Sequence, residues 1–182
     1  MEKLPREFYN RATHIVAKEL LGCHLVHRSQ GVEQVGKIVE VEAYLGHHDL
    51  ASHTSKGLTK RTATMFGPPG FAYVYLIYGM YHCFNVVTEP AGIGAAVLIR
   101  AIEPIANITE RTAGPGLLCK SMMIDKALNG SDLLSESLFI TNGQCEQFMH
   151  IVEAPRIGVH YAKEWAHKLL RFYIQGNAFV SQ

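Results

Sequence analysis

The sequence lacks the features that mark several large classes of protein. No hydrophobic run approaches the roughly 18 apolar residues of a membrane-spanning helix, and the N-terminal segment MEKLPREFYN has no apolar signal-peptide core. The four cysteines lie far apart and form no Cys-x-x-Cys pair, which argues against a zinc ribbon or a four-cysteine iron–sulfur site: Cys23, Cys83, Cys119 and Cys145. We therefore expect a protein that is not secreted, binds no membrane and works in a reducing intracellular compartment, the cytoplasm or nucleoid if it is bacterial.

The sequence also has no large excess of charge of one sign. Lys and Arg total 17 and Asp and Glu total 16, which gives a formal net charge of +1. Binding to nucleic acid would therefore depend on local basic clusters rather than on the charge of the whole molecule. Two segments supply such clusters, although ordinary surface charge explains them as readily: Lys56, Lys60 and Arg61 in one, and Arg156, Lys163, Lys168 and Arg171 in the other.

The residues that are present are typical of one globular domain spanning 1–182, with 48% hydrophobic and 18% charged residues. Strand-like segments separated by turns occur at 23–28, 35–45, 71–87, 95–104, 137–140, 156–159 and 170–174. Helices are expected at about 13–21, ended by Gly22, within 114–128, and at about 164–167. The expected fold class is α+β: a single compact domain with a mixed, mainly antiparallel curved sheet, flanking helices and a protruding β-hairpin.

The segment 35–45 places two carboxylates on one face of a strand. Because strand side chains alternate between faces, one set should face the core: Val39, Val41, Ala43 and Leu45. The other set should face away from it: Ile38, Glu40, Glu42 and Tyr44. A carboxylate facing a cleft could deprotonate water. A plain surface carboxylate on the wet face of the sheet fits the same pattern.

Arg100 lies inside the apolar segment AAVLIRAIEP, where it should share a face with Ala96, Leu98 and Ile102. A charge in such a strand is costly unless it is paired. The pattern leaves open a structural ion pair with Glu40 or Glu103 and a catalytic role.

The hairpin FAYVYLIYGMYHCFNVV carries Tyr73, Tyr75, Tyr78 and Tyr81, with Gly79 near its tip. Packing explains tyrosines along a strand, but it explains less well the Tyr78 and Met80 that flank the turn. Apolar wedges on a protruding element are used by proteins that kink DNA through the minor groove. Aromatic rings can also stack on an extruded base. Packing of the tip against a neighbouring loop remains an alternative.

Histidines and an aspartate cluster at His47, His48, Asp49 and His53. These are good metal ligands, but their spacing matches no common zinc motif and no cysteine lies nearby. A metal-dependent hydrolase built on this segment is one alternative function. A non-catalytic DNA-binding module that keeps the hairpin is a second one.

Several blocks, in this order, resemble the alkyladenine (3-methyladenine) DNA glycosylase family. They are IVEVEAYLG, the Asp49 to His53 element, MFGPPG, YVYLIYGMYHCFNVV, VLIRAIEP and RIGVHYAKEWAHKLLRFY. The match runs in the same order over nearly the whole chain. The resemblance implies an enzyme of base excision repair that acts on double-stranded DNA containing damaged purines. It implies a monomer that uses no cofactor and no metal.

The resemblance also implies a role for each matching residue. Glu42 matches the general base, Arg100 an arginine that positions the attacking water, and the backbone carbonyl of Ile157 a further ligand of that water. Tyr44, His53 and Tyr75 match the aromatic walls around the extruded base. Asn85 matches the asparagine that disfavours the guanine 2-amino group.

The remaining matches concern DNA contacts. Tyr78 matches the tyrosine that fills the gap left by the flipped nucleotide, and Met80 matches the adjacent hairpin contact. Arg61 and Met65 fall at positions associated with DNA contacts, after a loop that is one residue short. No lysine lies at a matching catalytic position, so strand nicking through a Schiff base is not expected. The expected product is an abasic site in intact DNA.

Overall fold

The computed structural model describes residues 2–143 and 149–181, and Cys145 lies outside these ranges. Its strands are β1 (His24–Ser29), β2 (Val32–Tyr44), β3 (Ala72–Ile77), β4 (Tyr81–Thr88), β5 (Ala95–Ala106), β6 (Leu138–Thr141), β7 (Ile151–Ala154) and β8 (Arg171–Ile174). Its α-helices are α1 (Arg6–Tyr9), α2 (Thr13–Leu20) and α3 (Pro115–Ser121). Short 3₁₀ helices cover His53–Lys56, Ala63–Phe66, Lys126–Leu128 and His160–His167.

The strands form one sheet whose main path runs β3-β4-β5-β2-β1-β6. Every pairing between these strands is antiparallel. Strand β2 is central: β5 pairs along one edge, while β1 and then β8 pair along the other, and β7 continues beyond β8. The α+β class with an antiparallel curved sheet is therefore confirmed.

Two turns explain where the long strand and the hairpin begin and end. Strand β2 starts at Val32, three residues earlier than expected, because Gln30 and Gly31 form a tight turn with φ of 51° and 77°. Positive φ at both central residues suits a two-residue hairpin. The hairpin of β3 and β4 is confirmed, with Tyr78 and Gly79 at its tip and φ of 52° and 68°.

The helices cover one face of the sheet. The main core combines residues of α2 and α3 with inward side chains of the central strands: Val16, Ala17, Leu20, Leu118, Cys119, Met122, Val39, Val41, Ala43, Val97 and Ile99. Gly22 follows α2 with φ of 85°, as expected for a residue that ends a helix. The opposite face of the sheet carries loops and smaller apolar clusters instead.

Paired irregularities in β2 and β5 correct the predicted alternation. Ile38 pairs with Ile102 but Glu40 pairs with Ala101, so Val39 is an extra residue on β2. Both Ile38 and Ile102 consequently belong to the main core and do not share a face with Glu40 and Arg100. The prediction was wrong for these two isoleucines because a bulge breaks the two-residue period.

The second irregularity makes Arg100 the extra residue of β5. Glu40 pairs with Ala101 and Val41 pairs with Ile99, which leaves Arg100 between them without a directly opposite partner. Bulges often redirect a side chain beside a functional site. Here the bulge places Arg100 on the face of the sheet opposite the helices.

Near the C-terminus the prediction was partly wrong. Residues 156–159 form a turn rather than a strand, and Gly158 has a φ of 75°. The 3₁₀ segment His160–His167 is longer than expected and is interrupted at Ala162 and Lys163. Among the described residues, no helix has the length and apolarity needed to cross a membrane.

Candidate active site

A cavity of about 550 Å³ opens on the face of the sheet opposite the main core. Cross-strand pairing builds its floor, because Tyr73 pairs with Asn85, Asn85 with Leu98 and Leu98 with Glu42 across four strands. The cavity brings together nine residues singled out from the sequence: Glu42, Tyr44, His53, Met65, Tyr75, Tyr78, Asn85, Arg100 and Ile157. Of the candidate residues, Met80 and Arg61 lie outside its lining.

Glu42 is fully buried at one end of the cavity. Its Oε1 accepts a hydrogen bond of 2.7 Å from the backbone N–H of Ile157, and its Oε2 accepts one of 2.7 Å from the Tyr44 hydroxyl. The Nη1 of Arg100 lies 3.4 Å from Oε1. These donors and this positive charge offset the cost of removing a carboxylate from water.

Arg100 connects Glu42 to a second buried carboxylate. Its Nε donates to Glu40 at 3.2 Å, while its Nη2 donates to the Ser181 hydroxyl at 3.4 Å. The structural ion pair with Glu40 that the sequence left open is therefore present, and Arg100 also contacts Glu42 at the cavity; its catalytic role stays a prediction. Glu103 is not its partner, because Glu103 pairs with Lys37 at 2.9 Å.

Aromatic rings form the walls of the cavity. The rings of His53 and Tyr75 meet edge to face at 4.5 Å, and the rings of Tyr73 and Tyr75 lie 5.3 Å apart. The guanidinium of Arg156 lies 4.8 Å from the centre of the Tyr44 ring. Rings arranged in this way present π faces on which a planar base can stack.

Burial fixes the protonation of these walls. It raises the pKa of Tyr44 well above its usual range, with a further contribution from Glu42, so the hydroxyl keeps the proton that it donates to Glu42. Burial lowers the pKa of His53 to about 4, and the positive charges of Arg61 and Lys56 add to the effect. His53 is therefore neutral at neutral pH, with its Nδ1 3.2 Å from the Tyr73 hydroxyl.

Asn85 is fixed on the floor of the cavity. Its side-chain amide donates to the backbone carbonyl of Tyr73 at 3.2 Å, and only 3% of the residue is exposed. The neighbouring Cys83 is also buried and lines the cavity beside Tyr75. A fixed amide in this position can discriminate between the edges of different bases through its remaining hydrogen-bonding atoms.

The hairpin tip is exposed at the mouth of the cavity. Tyr78 is 85% exposed and Met80 is 67% exposed, so the tip is not packed against a neighbouring loop. Tyr78 also holds a left-handed backbone, which is uncommon for a bulky residue. Two large apolar side chains are thus presented to whatever approaches the cavity.

Asp49 of the histidine-rich segment forms a buried ion pair. Its two oxygens accept from the Arg156 guanidinium at 2.6 and 2.8 Å and from the backbone N–H groups of Leu45 and Ala51 at 3.0 Å. This pair ties the loop after β2 to the turn that carries Ile157. Within residues 2–143 and 149–181, no group of three or more His, Cys, Asp or Glu is placed to hold a metal ion.

The sequence reasoning missed several residues that line the cavity. Tyr161 is 63% exposed at its mouth, and its hydroxyl donates to the Ala51 carbonyl at 3.3 Å. The Gly114 to Leu117 loop before and within α3 contributes another wall. Tyr161 stands four residues after Ile157 in the RIGVHY block, and that proximity was the available signal.

A buried carboxylate and a buried arginine thus lie at the end of an aromatic cavity, beside an exposed hairpin. Residues 7–178 match the family model described as methylpurine-DNA glycosylase (MPG). The chain belongs to this family, and the predicted family and enzyme class are confirmed.

Similar proteins cover the whole chain. A protein of Legionella pneumophila (strain Corby) is 65% identical over 182 residues, which is 100% of both chains. One of Myxococcus xanthus (strain DK1622) is 50% identical over 184 residues, covering 100% of this chain and 95% of its own. One of Alkaliphilus oremlandii (strain OhILAs) is 47% identical over 201 residues, with 99% of each covered. Each bears the name "Putative 3-methyladenine DNA glycosylase".

Proposed function

We propose that this protein is a monofunctional DNA glycosylase of base excision repair that acts as a monomer, with residues 1–182 forming one glycosylase domain. It removes alkylated or deaminated purines of the 3-methyladenine, 7-methylguanine, hypoxanthine and ethenoadenine class. The observation that carries the proposal is the buried Glu42, which faces an aromatic cavity and contacts both Arg100 and the Ile157 N–H.

The first step is extrusion of the damaged nucleotide, because a base inside the duplex cannot present its C1′ to a nucleophile. The exposed Tyr78 fills the vacated stack, and Met80 contacts the DNA beside it. Arg61 contacts the DNA from the exposed loop before β3. Met65 is only 3% exposed and lines the cavity, so its contact would be with the nucleotide inside.

The cavity then receives the base. Tyr44, His53 and Tyr75 supply rings for stacking, and each stacked base contributes about 1–3 kcal/mol. Asn85 disfavours the 2-amino group of guanine, which weakens binding of undamaged guanine. 7-Methylguanine carries the same group, but its positively charged ring is a better leaving group and offsets this penalty. Lesions that pair or stack poorly cost less to extrude, which adds to the selectivity.

Hydrolysis follows at the bottom of the cavity. Water attacks C1′, the N-glycosidic bond breaks with its electron pair going to the purine, and Glu42 accepts the proton of the water. Arg100 and the Ile157 carbonyl hold this water in line, so positioning contributes to the rate. The negative charge of Glu42 also stabilises the positive charge that develops on the sugar.

Alkylation at N3 or N7 makes the purine a cation and a good leaving group. Hypoxanthine and ethenoadenine are neutral and gain a proton as they depart. The overall hydrolysis balances, because the water adds its hydroxyl to C1′ and the proton that it gives up to Glu42 returns to solvent as the purine takes one up. The described residues that line the cavity include no lysine that could form a Schiff base, which supports an abasic site as the product.

A gel assay tests this function. Duplexes carrying one hypoxanthine, 7-methylguanine or ethenoadenine are incubated with the purified protein, with and without EDTA, and then with and without alkali. We expect strand breaks only after alkali, unchanged by EDTA. Breaks without alkali would contradict monofunctional action, loss of activity in EDTA would favour a metal-dependent enzyme, and intact duplexes throughout would overturn the proposal.

A further inference from the structure

Arg61 lies next to one wall of the cavity but outside its lining. It is exposed and does not line the cavity, whereas Tyr75 does. The guanidinium carbon of Arg61 is 5.4 Å from the centre of the Tyr75 ring, within the range of a cation–π contact. The positive charge and a hydrogen bond of Arg61 also partly oppose the rise in the pKa of Tyr73 that burial causes. Arg61 therefore contacts two rings of the same wall.

The aromatic residues near Arg61 carry no negative charge that would neutralise its guanidinium. His53, the third ring of this cluster, is neutral at neutral pH because burial and the charges of Arg61 and Lys56 lower its pKa to about 4. Among the described residues, Arg61 forms no ion pair, unlike the arginines that pair with an aspartate or a glutamate. A positive charge thus lies 5.4 Å from the centre of a ring on which we propose that the base stacks.

Such a charge distinguishes bases by their own charge. A purine alkylated at N3 or N7 is a cation in the nucleotide, whereas hypoxanthine and ethenoadenine are neutral. A cation near an aromatic ring is attracted by the quadrupole of the ring. It also repels a second cation that approaches the same ring from the other side. A neutral base loses little of its stacking for the same reason.

We propose that Arg61 is a specificity-determining residue that weakens binding of cationic purines on Tyr75 and so shifts the enzyme toward neutral lesions. This inference rests on the proposed glycosylase function and deepens it. It assigns Arg61 a role inside the reaction that is separate from attraction to DNA phosphates.

The test compares two lesions in one duplex sequence. Single-turnover rate constants for base release are measured with enzyme in excess and saturating, using 7-methylguanine and hypoxanthine at the same position. The variants are Arg61→Gln, Arg61→Lys and, as a matched control, Lys60→Gln, which removes an exposed charge one residue earlier. Taking the ratio of the two rate constants removes any change in general DNA affinity.

We expect Arg61→Gln to raise the ratio of 7-methylguanine to hypoxanthine release by about 3- to 10-fold. Arg61→Lys should stay near the wild-type ratio because it keeps the charge, and Lys60→Gln should leave the ratio unchanged. An unchanged ratio in Arg61→Gln, with both rates reduced alike, would overturn the inference and leave Arg61 as a DNA contact. If the wild-type protein released neither base, the proposed function itself would fail.

Discussion

Two glutamates on β2 have the same type, the same burial and a shared partner, yet their surroundings differ. Glu40 and Glu42 are both fully buried, and both lie within ion-pair distance of Arg100. Glu40 also accepts hydrogen bonds from Arg171 Nη1 at 3.1 Å and from the Ser181 N–H at 2.7 Å. It does not line the cavity. Glu42 lines the cavity, so only Glu42 can reach a substrate.

Burial and charge are the same for both residues, so access to the cavity is the property that distinguishes the proposed base from Glu40. Glu40 is covered by strand β8 and by the C-terminal segment at Ser181, which turn it into a fully paired structural anion. Glu42 is covered by Tyr44 and the turn at Ile157 on one side and remains open to the cavity on the other. The neighbouring elements, rather than the residue type, separate the two roles that we propose.

Glu42→Gln gives the largest expected effect. The variant keeps the size of the side chain but cannot accept the proton of the attacking water, so single-turnover base release should fall by about 10²- to 10⁴-fold. Binding to a lesion-containing duplex, measured by fluorescence anisotropy, should persist. Turnover at the wild-type rate would show that Glu42 is not the base and would remove the contrast with Glu40.

Arg100→Met tests the link between the two carboxylates. Because Arg100 contacts both, its loss should lower the rate of base release by about 10²-fold and should also lower the free energy of unfolding. Chemical denaturation and the single-turnover assay are carried out on the same preparation. If the variant had a lower free energy of unfolding but the wild-type rate of base release, Arg100 would have only a structural role, like Glu40.

Glu40→Gln should affect mainly stability. Removing this charge leaves two buried or half-buried arginines without a full counterion, and breaking such a network costs about 3 kcal/mol. Base release at a temperature where the variant is folded should fall by less than about 10-fold, since Arg100 keeps its contact with Glu42. A loss of rate as large as that of Glu42→Gln, with stability unchanged, would reverse the assignment of the two glutamates.

The sequence predicted the hairpin, the central strands and the α+β class because turn residues and apolar alternation are local signals. It also predicted that Glu42, Arg100 and the aromatic residues share a site, through the family blocks. It could not predict the bulges at Val39 and Arg100, because alternation assumes an unbroken period of two. The isoleucines at 38 and 102 were misplaced for that reason.

Long-range contacts were the other gap. Nothing near Glu40 in the sequence indicates that Ser181, 141 positions away, donates to its carboxylate. Asp49 was considered as a metal ligand because of its histidine neighbours, whereas Arg156 occupies both of its oxygens from 107 positions away. Such pairings depend on how distant loops pack over the sheet, and a single sequence carries no local record of them.

The half-buried His53 provides the comparison with the smallest expected effect. Glu40 and Glu42 contact donors and cations that stabilise their charge, whereas desolvation and then the charges of Arg61 and Lys56 oppose the charged form of His53. Its folded-state pKa of about 4 lies below the ordinary value of 6.5. As pH falls below about 6.5, His53 becomes protonated in the unfolded chain. In the folded protein it becomes protonated only near pH 4. The free energy of unfolding should therefore fall through this window, by at most about 1.4 kcal/mol per pH unit from this group. The free energy of unfolding is measured by urea unfolding between pH 7 and 4. In His53→Gln it should depend less steeply on pH than in the wild type. A variant with the wild-type slope would show that His53 is protonated as readily in the folded state as in the unfolded one.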